Sequence, residues 1–242
     1  MQRSPRRSTA FTLAGAALAG TAAAAGSGPT LVQAHDLRPT DPAYRFDEYE
    51  AIVNRDLAFR QAYEWPILTN PSIYVNISNG LNAFQFAYGA APEQIQVVVL
   101  AYATAIGALN DDFIWQRYRL GEAFGVKDPA TGQPAVRNPW LASKLAAPEV
   151  TPPPADRAHA FYADTSVEGL QRRGVLFLAC HQSIHGQARG AVADGRNPDN
   201  LTEAQLADEI QAHLIPGALL VPAAVGELVR LQAKGYGLVV NH

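Results

Sequence analysis

A single cysteine at the end of an apolar run is the feature of this sequence with the most chemical promise. Gly174 to Ala179, GVLFLA, leads into Cys180, the one cysteine in 242 residues, with His181 beside it and His185 and Arg189 further on. The thiolate is the reactive form of cysteine, and nearby cations or a helix N-terminus favour it. His181 and His185 would then set the protonation of Cys180, and Arg189 would add positive charge for a substrate. Cys180, His181 and His185 also offer soft sulfur and imidazole ligands, with the histidines at a helix spacing, so metal binding is an alternative. A third reading makes Cys180 a small buried hydrophobe with solvent-facing histidines.

For the thiol to work, the chain must present it at an edge. Val175 to Ala179 has the length and side-chain content of a strand buried on both faces, as strands in parallel sheets are. In such sheets ligands bind beyond the carboxyl ends of the strands. The same edge should carry Tyr102 and Asn110-Asp111-Asp112, after a strand at Ile95 to Leu100, and Asn79, after a strand at Ser72 to Ile77. Tyr102, Asn79 and Asp111 are thus candidates to line a substrate pocket, although a helix cap explains an aspartate equally well.

The remaining elements follow from periodicity. Phe46 to Glu64 shows a rough helical period through Tyr49, Ile52, Val53, Leu57, Phe59 and Tyr63, ended by Trp65-Pro66. Short helices are expected at 81–88, 113–124, 155–163 and 167–173. Lys127 to Pro154 holds seven prolines and reads as an insertion pinned by Trp140 and Leu141. After a loop at 190–200, Thr202 and Gln205 form a capping box for a helix to about His213. A strand at 218–221, a helix from Ala223 to Lys234 behind Pro222, and a last strand at 236–240 complete the chain. Glu227 and Arg230 on that helix read as a solvated ion pair. Alternating strands and helices predict parallel βαβ units in an α/β, three-layer α/β/α domain of about five strands. No nucleotide-binding fingerprint is present, and no organic cofactor is expected.

Residues 1–34 read as a targeting segment. Arg3, Arg6 and Arg7 precede a mild apolar stretch, Phe11 to Gly20, and Val32-Gln33-Ala34 fits a small-x-small cleavage site. The Arg6-Arg7 pair suggests the twin-arginine route to a bacterial periplasm. Cleavage there would leave His35 at the mature terminus, and the apolar stretch is too short to span a bilayer. The mature 208 residues carry 16 basic against 22 acidic side chains, a formal balance of −6, which argues against nucleic-acid or anionic-membrane partners. Residues 35–71 are expected to form an arm and a helix, and 72–242 the α/β domain with its insertion at 127–154.

The run VPAAVGELVRLQAKGYGLVV, Val221 to Val240, together with GVLFLAC and with IQVVVLAYATAIGALND, resembles the DsrE/DsrF-like sulfur-relay proteins. The resemblance covers roughly Ser72 to Val240. It implies a flavodoxin-like α/β/α domain that assembles into homo-oligomers, with Cys180 at the persulfide-carrying position and a small sulfur species or a sulfur-carrier protein as partner. The chain departs from the family in the length of the 127–154 insertion and in lacking an imidazole after the strand that here ends Leu100-Ala101-Tyr102-Ala103, where exported members often have a His-Gly. The alternative from another class is a non-enzymatic periplasmic binding or assembly module with an inert Cys180.

Overall fold

The computed structural model describes residues 37–70, 72–142, 150–151, 155–157 and 159–240. Residues 1–34, expected to be a targeting segment, and His35 lie outside the described residues, as does His242. The chain enters through an arm that makes one 3-10 turn at Pro42–Tyr44, capped by the Asp41 side chain, and then forms α1 (Phe46–Val53).

Next comes β1 (Phe59–Trp65), where the helical period predicts the end of a helix. The helix ends at Val53. From Phe59 onward the residues alternate: Tyr63 and Trp65 pack on one face of the sheet and Ala62 on the other. The expected first strand at 72–77 is instead part of α2 (Ser72–Asn82). Ile73, Ile77 and Leu81 recur every four residues on its buried side, and that period outweighs the β-branched content. The α/β body therefore begins with β1, ahead of residue 72.

β2 (Ile95–Ala101), buried along its whole length, and β5 (Val175–Cys180) fall where the apolar runs predict them. Between them, the expected single helix at 113–124 is two, α3 (Asp112–Arg117) and α4 (Leu120–Ala123), broken at Arg119, which has a left-handed φ of 50°. Trp140 and Leu141 do pin the Pro-rich segment. Their carbonyls accept the Val167 and Glu168 amides, and the Trp140 ring stacks on Tyr74. Gly121 allows this segment in: a Cβ there would stand 2.2 Å from the Ala135 carbonyl oxygen. The described residues of the expected helix at 155–163 are not helical. β4 (Phe161–Tyr162) pairs antiparallel with β3 (Val150–Thr151), and α5 (Val167–Arg172) then leads to β5.

α6 (His181–Ala193) starts directly after Cys180 and runs through Gly190 into the stretch expected to be a loop. The Thr202–Gln205 capping box opens α7 (Glu203–Ala212) as expected. β6 (Leu219–Val221), α8 (Ala224–Ala233) and β7 (Gly237–Val239) close the chain.

The five long-range strands pair in parallel in the order β6-β5-β2-β1-β7. One face packs on α2, α6 and α7, the other on α1 and α8. This is the expected flavodoxin-like three-layer α/β/α arrangement. In chain sequence its strand order is 4-3-2-1-5, so the reversal falls elsewhere than in the 2-1-3-4-5 order of flavodoxin. β5 feeds α6 on one face while its neighbour β6 feeds α8 on the other. The carboxyl ends of β5 and β6 thus diverge, and divergence of this kind opens a crevice for ligands. Cys180 and Val221 are register partners at that point.

Candidate functional site at the end of the central strands

Alternation along β5 decides where the cysteine looks. Val175, Phe177 and Ala179 face the α6 side, and Leu176, Leu178 and Cys180 face α1 and α8. Although α6 begins at the very next residue, the sulfur is turned away from it and toward the start of α8. There the Ala224 amide donates a hydrogen bond to Cys180 Sγ at 3.4 Å. Ala223, the N-cap of α8, has no side chain that can accept from the first-turn amides, so the sulfur takes that part. Cys180 is only 4% exposed, with Leu178, Val221 and Ala224 in the same cluster.

Tyr102 is at the edge where it was expected. It packs against the cluster containing Cys180, and its hydroxyl donates to Glu64 on β1. Burial, then the hydrogen bond to Glu64 and its carboxylate charge, push the phenol above its usual range. The next residue, Ala103, holds a left-handed φ of 48°, with its amide donating to Ser183 Oγ on α6 at 2.8 Å. That conformation is costly for any residue with a Cβ, and such strain concentrates at functional edges.

His181 and His185 lie side by side on α6, with ring centroids 4.8 Å apart. His181 Nδ1 is bonded to the Tyr44 hydroxyl of the arm at 2.8 Å, while the hydrogen bond to the sulfur comes from Ala224. Burial, reinforced by the charge of His185, lowers the His181 imidazole below its usual value; Asp41 and Asp208 oppose this. Among the described residues, no group of three or more His, Cys, Asp and Glu side chains is placed to hold a metal ion. The expected trio is divided because Cys180 turns toward α8 and the two imidazoles sit on α6.

Three other expected residues are elsewhere. Asn79 is exposed in the middle of α2, since the strand expected before it is a helix. Arg189, two turns along α6, forms an exposed pair with Glu203 at 3.0 Å. Asp111 caps α3 by accepting the Ile114 amide, and its other oxygen meets His213 Nδ1 at 2.7 Å, so both carboxylate oxygens have structural partners.

What the sequence reading missed is a buried ionic network between α1 and α8. Arg230 donates to Glu227 at 3.1 Å and to Glu50 at 2.9 Å, Lys234 donates to Glu50 at 2.9 Å, and the Tyr49 hydroxyl donates to Glu227. Glu227 and Arg230 side chains are 6% and 12% exposed, so this is not the solvated pair their spacing suggested. Burial raises the Glu227 carboxyl above its ordinary range. At Glu50 burial acts in the same direction, but hydrogen bonds from Lys234, Asn54 and Arg230 outweigh it and lower the carboxyl. The i,i+3 spacing was visible; what was not visible was that α1 folds over it.

No helix among the described residues is long and apolar enough to cross a membrane. No family model and no curated protein matches this chain. Among solved structures, the chain is similar to a protein of unknown function, MTH1491 from Methanobacterium thermoautotrophicum, at a TM-score of 0.37 and 17% identity over 76% of this chain and 99% of that one.

Proposed function

We propose that this chain is an exported DsrE-like protein that carries sulfane sulfur as a persulfide on Cys180. One observation supports the reading above the others: the amide of Ala224, at the positive end of α8, donates to a sulfur held at the diverging ends of β5 and β6. A donor so placed stabilises an anionic sulfur over a neutral thiol. In the loading step the Cys180 thiolate attacks the outer sulfur of thiosulfate or a polysulfide. A new S–S bond forms, the donor's S–S bond breaks, and its electron pair leaves with sulfite or the shorter polysulfide. In the unloading step an acceptor thiolate takes the outer sulfur and Cys180 returns as thiolate, with no outside electrons required. Tyr102 would border the loaded sulfur, with Glu64 holding its hydroxyl.

The periplasm is the proposed compartment, on the strength of Arg6-Arg7, the apolar stretch and the Ala34 cleavage site. The acceptor is a thiol or a sulfur-carrier protein, and the resemblance favours a homo-oligomer with no organic cofactor. Intact-mass measurement after thiosulfate or polysulfide treatment tests the sulfur chemistry. The expected result is a gain of one sulfur atom in the folded protein, absent in Cys180→Ala. A thiol that reacts only after unfolding overturns the reading. That outcome supports a binding or assembly module instead, which the burial of Cys180 favours.

A further inference from the structure

Beside the buried sulfur, between the arm and the start of α8, lies a cavity of about 370 Å³ with Leu37, Tyr44, Phe46, Tyr49, Val221 and Pro222 in its walls. Its size is at the lower end of the range for small-molecule sites, about 300–1,000 Å³, and its floor is the carboxyl end of β6 at the divergence point.

The charged part of the wall is internally balanced. Arg38, Glu227 and Arg230 border the cavity, but Arg38 is paired with Asp47 at 2.8 Å, and the network of the other two sets, among the described residues, two carboxylates, Glu50 and Glu227, against two cations, Arg230 and Lys234. An entering ion would lose hydration and meet groups already engaged with one another, which is unfavourable. An uncharged apolar body loses little on entry and gains contact with three aromatic rings. We propose that this cavity binds a small uncharged molecule with an aromatic or alicyclic body, and that the arm is its cover.

The way the arm is held fits that role. Tyr44 is bonded to His181, the Leu37 carbonyl accepts from Arg230, and the Arg230 guanidinium lies 5.0 Å from the Phe46 ring centroid. Each contact can open without breaking a pairing of the sheet. The inference goes beyond sulfur carriage and does not depend on Cys180 reacting.

The test is titration of the full chain with N-phenyl-1-naphthylamine, an uncharged aromatic fluorophore. The expected result is a saturable, blue-shifted emission from one site, with slower amide exchange confined to 37–46 and 221–227. A Cβ on Gly226, which lines the cavity, meets nothing within 4 Å, so Gly226→Phe is expected to fold and fill the space. It should weaken the probe at least about ten-fold without lowering the unfolding temperature. Cys180→Ala should bind the probe like the parent chain, which separates failure of this site from failure of the sulfur chemistry. The proposal is overturned by an unsaturable signal, by exchange protection elsewhere in the chain, or by unchanged binding in Gly226→Phe. Tighter binding of the anionic probe 1-anilinonaphthalene-8-sulfonate would overturn the uncharged class.

Discussion

Arg230→Ala separates what the α8 spacing suggests from what the fold does with it. On an exposed helix face an i,i+3 pair is worth about 0.2–0.5 kcal/mol, and its loss would scarcely register. Here Arg230 bridges two buried carboxylates, and its removal leaves Glu227 and Glu50 facing each other with Lys234 as the remaining cation. Breaking a buried pair by deleting one partner costs about 3–5 kcal/mol. For a domain of this size that lowers the unfolding temperature by about 6–20 °C. The loss should also depend on pH. Burial already holds the Glu227 carboxyl above its ordinary range, and without Arg230 it moves higher. A carboxyl raised in the folded state takes up its proton there before it does in the unfolded chain, so falling pH favours folding through that group. The deficit of the variant should therefore shrink as pH falls toward the ordinary carboxylate range and Glu227 takes up its proton in the folded state. Urea unfolding followed by fluorescence of Trp65, Trp115 and Trp140 measures it, with Arg189→Ala, at an exposed pair, as a control expected to lose no more than about 1 kcal/mol. A loss below about 1 kcal/mol at pH 7, or a deficit that grows on acidification, would refute the buried-network argument.

Three further outcomes are expected. Ala103→Gly should raise stability by up to about 1 kcal/mol in chemical denaturation, because its φ of 48° suits glycine; a loss of stability would contradict the strain at that edge. Gly121→Ala should destabilise by about 1–3 kcal/mol and loosen residues 133–141 to proteolysis, since its Cβ would collide with the Ala135 backbone; an intact, equally stable variant would count against the close approach. The His181 imidazole is lowered in the folded state, so stability tied to it is full above the unfolded value and is lost as pH falls through and below about 6.5. Protection factors of the amides in 41–46, corrected for the intrinsic pH dependence of exchange, should then fall on acidification in the parent chain and stay flat in His181→Gln; parallel protection profiles in the two proteins would remove His181 from control of the arm.

Local signals were enough for several elements. The largely apolar runs at 95–100 and 175–179 marked inner strands, because parallel strands are covered on both faces. The Thr202–Gln205 box and the Asp111 cap were legible because capping is settled within four residues of chain. Segments 59–65 and 72–82 were misread, because a mixed apolar pattern over seven to eleven residues fits either period. In the first, Tyr63 and Trp65 against Ala62 carry a two-residue alternation that a shorter window would have found. In the second, Ile73, Ile77 and Leu81 carry the helical one.

The sequence by itself determined a parallel α/β domain with one cysteine at the end of an inner strand, since a strand's burial is written into its own side chains. Only the tertiary structure decided which face that sulfur meets. The partner is an amide 44 residues further along, brought there because β6 sends its helix to the opposite side of the sheet from the helix that follows Cys180. Likewise, Glu227 and Arg230 show their spacing in one dimension, but whether they face water or a buried carboxylate on α1 depends on how two helices far apart in the chain cover the same sheet.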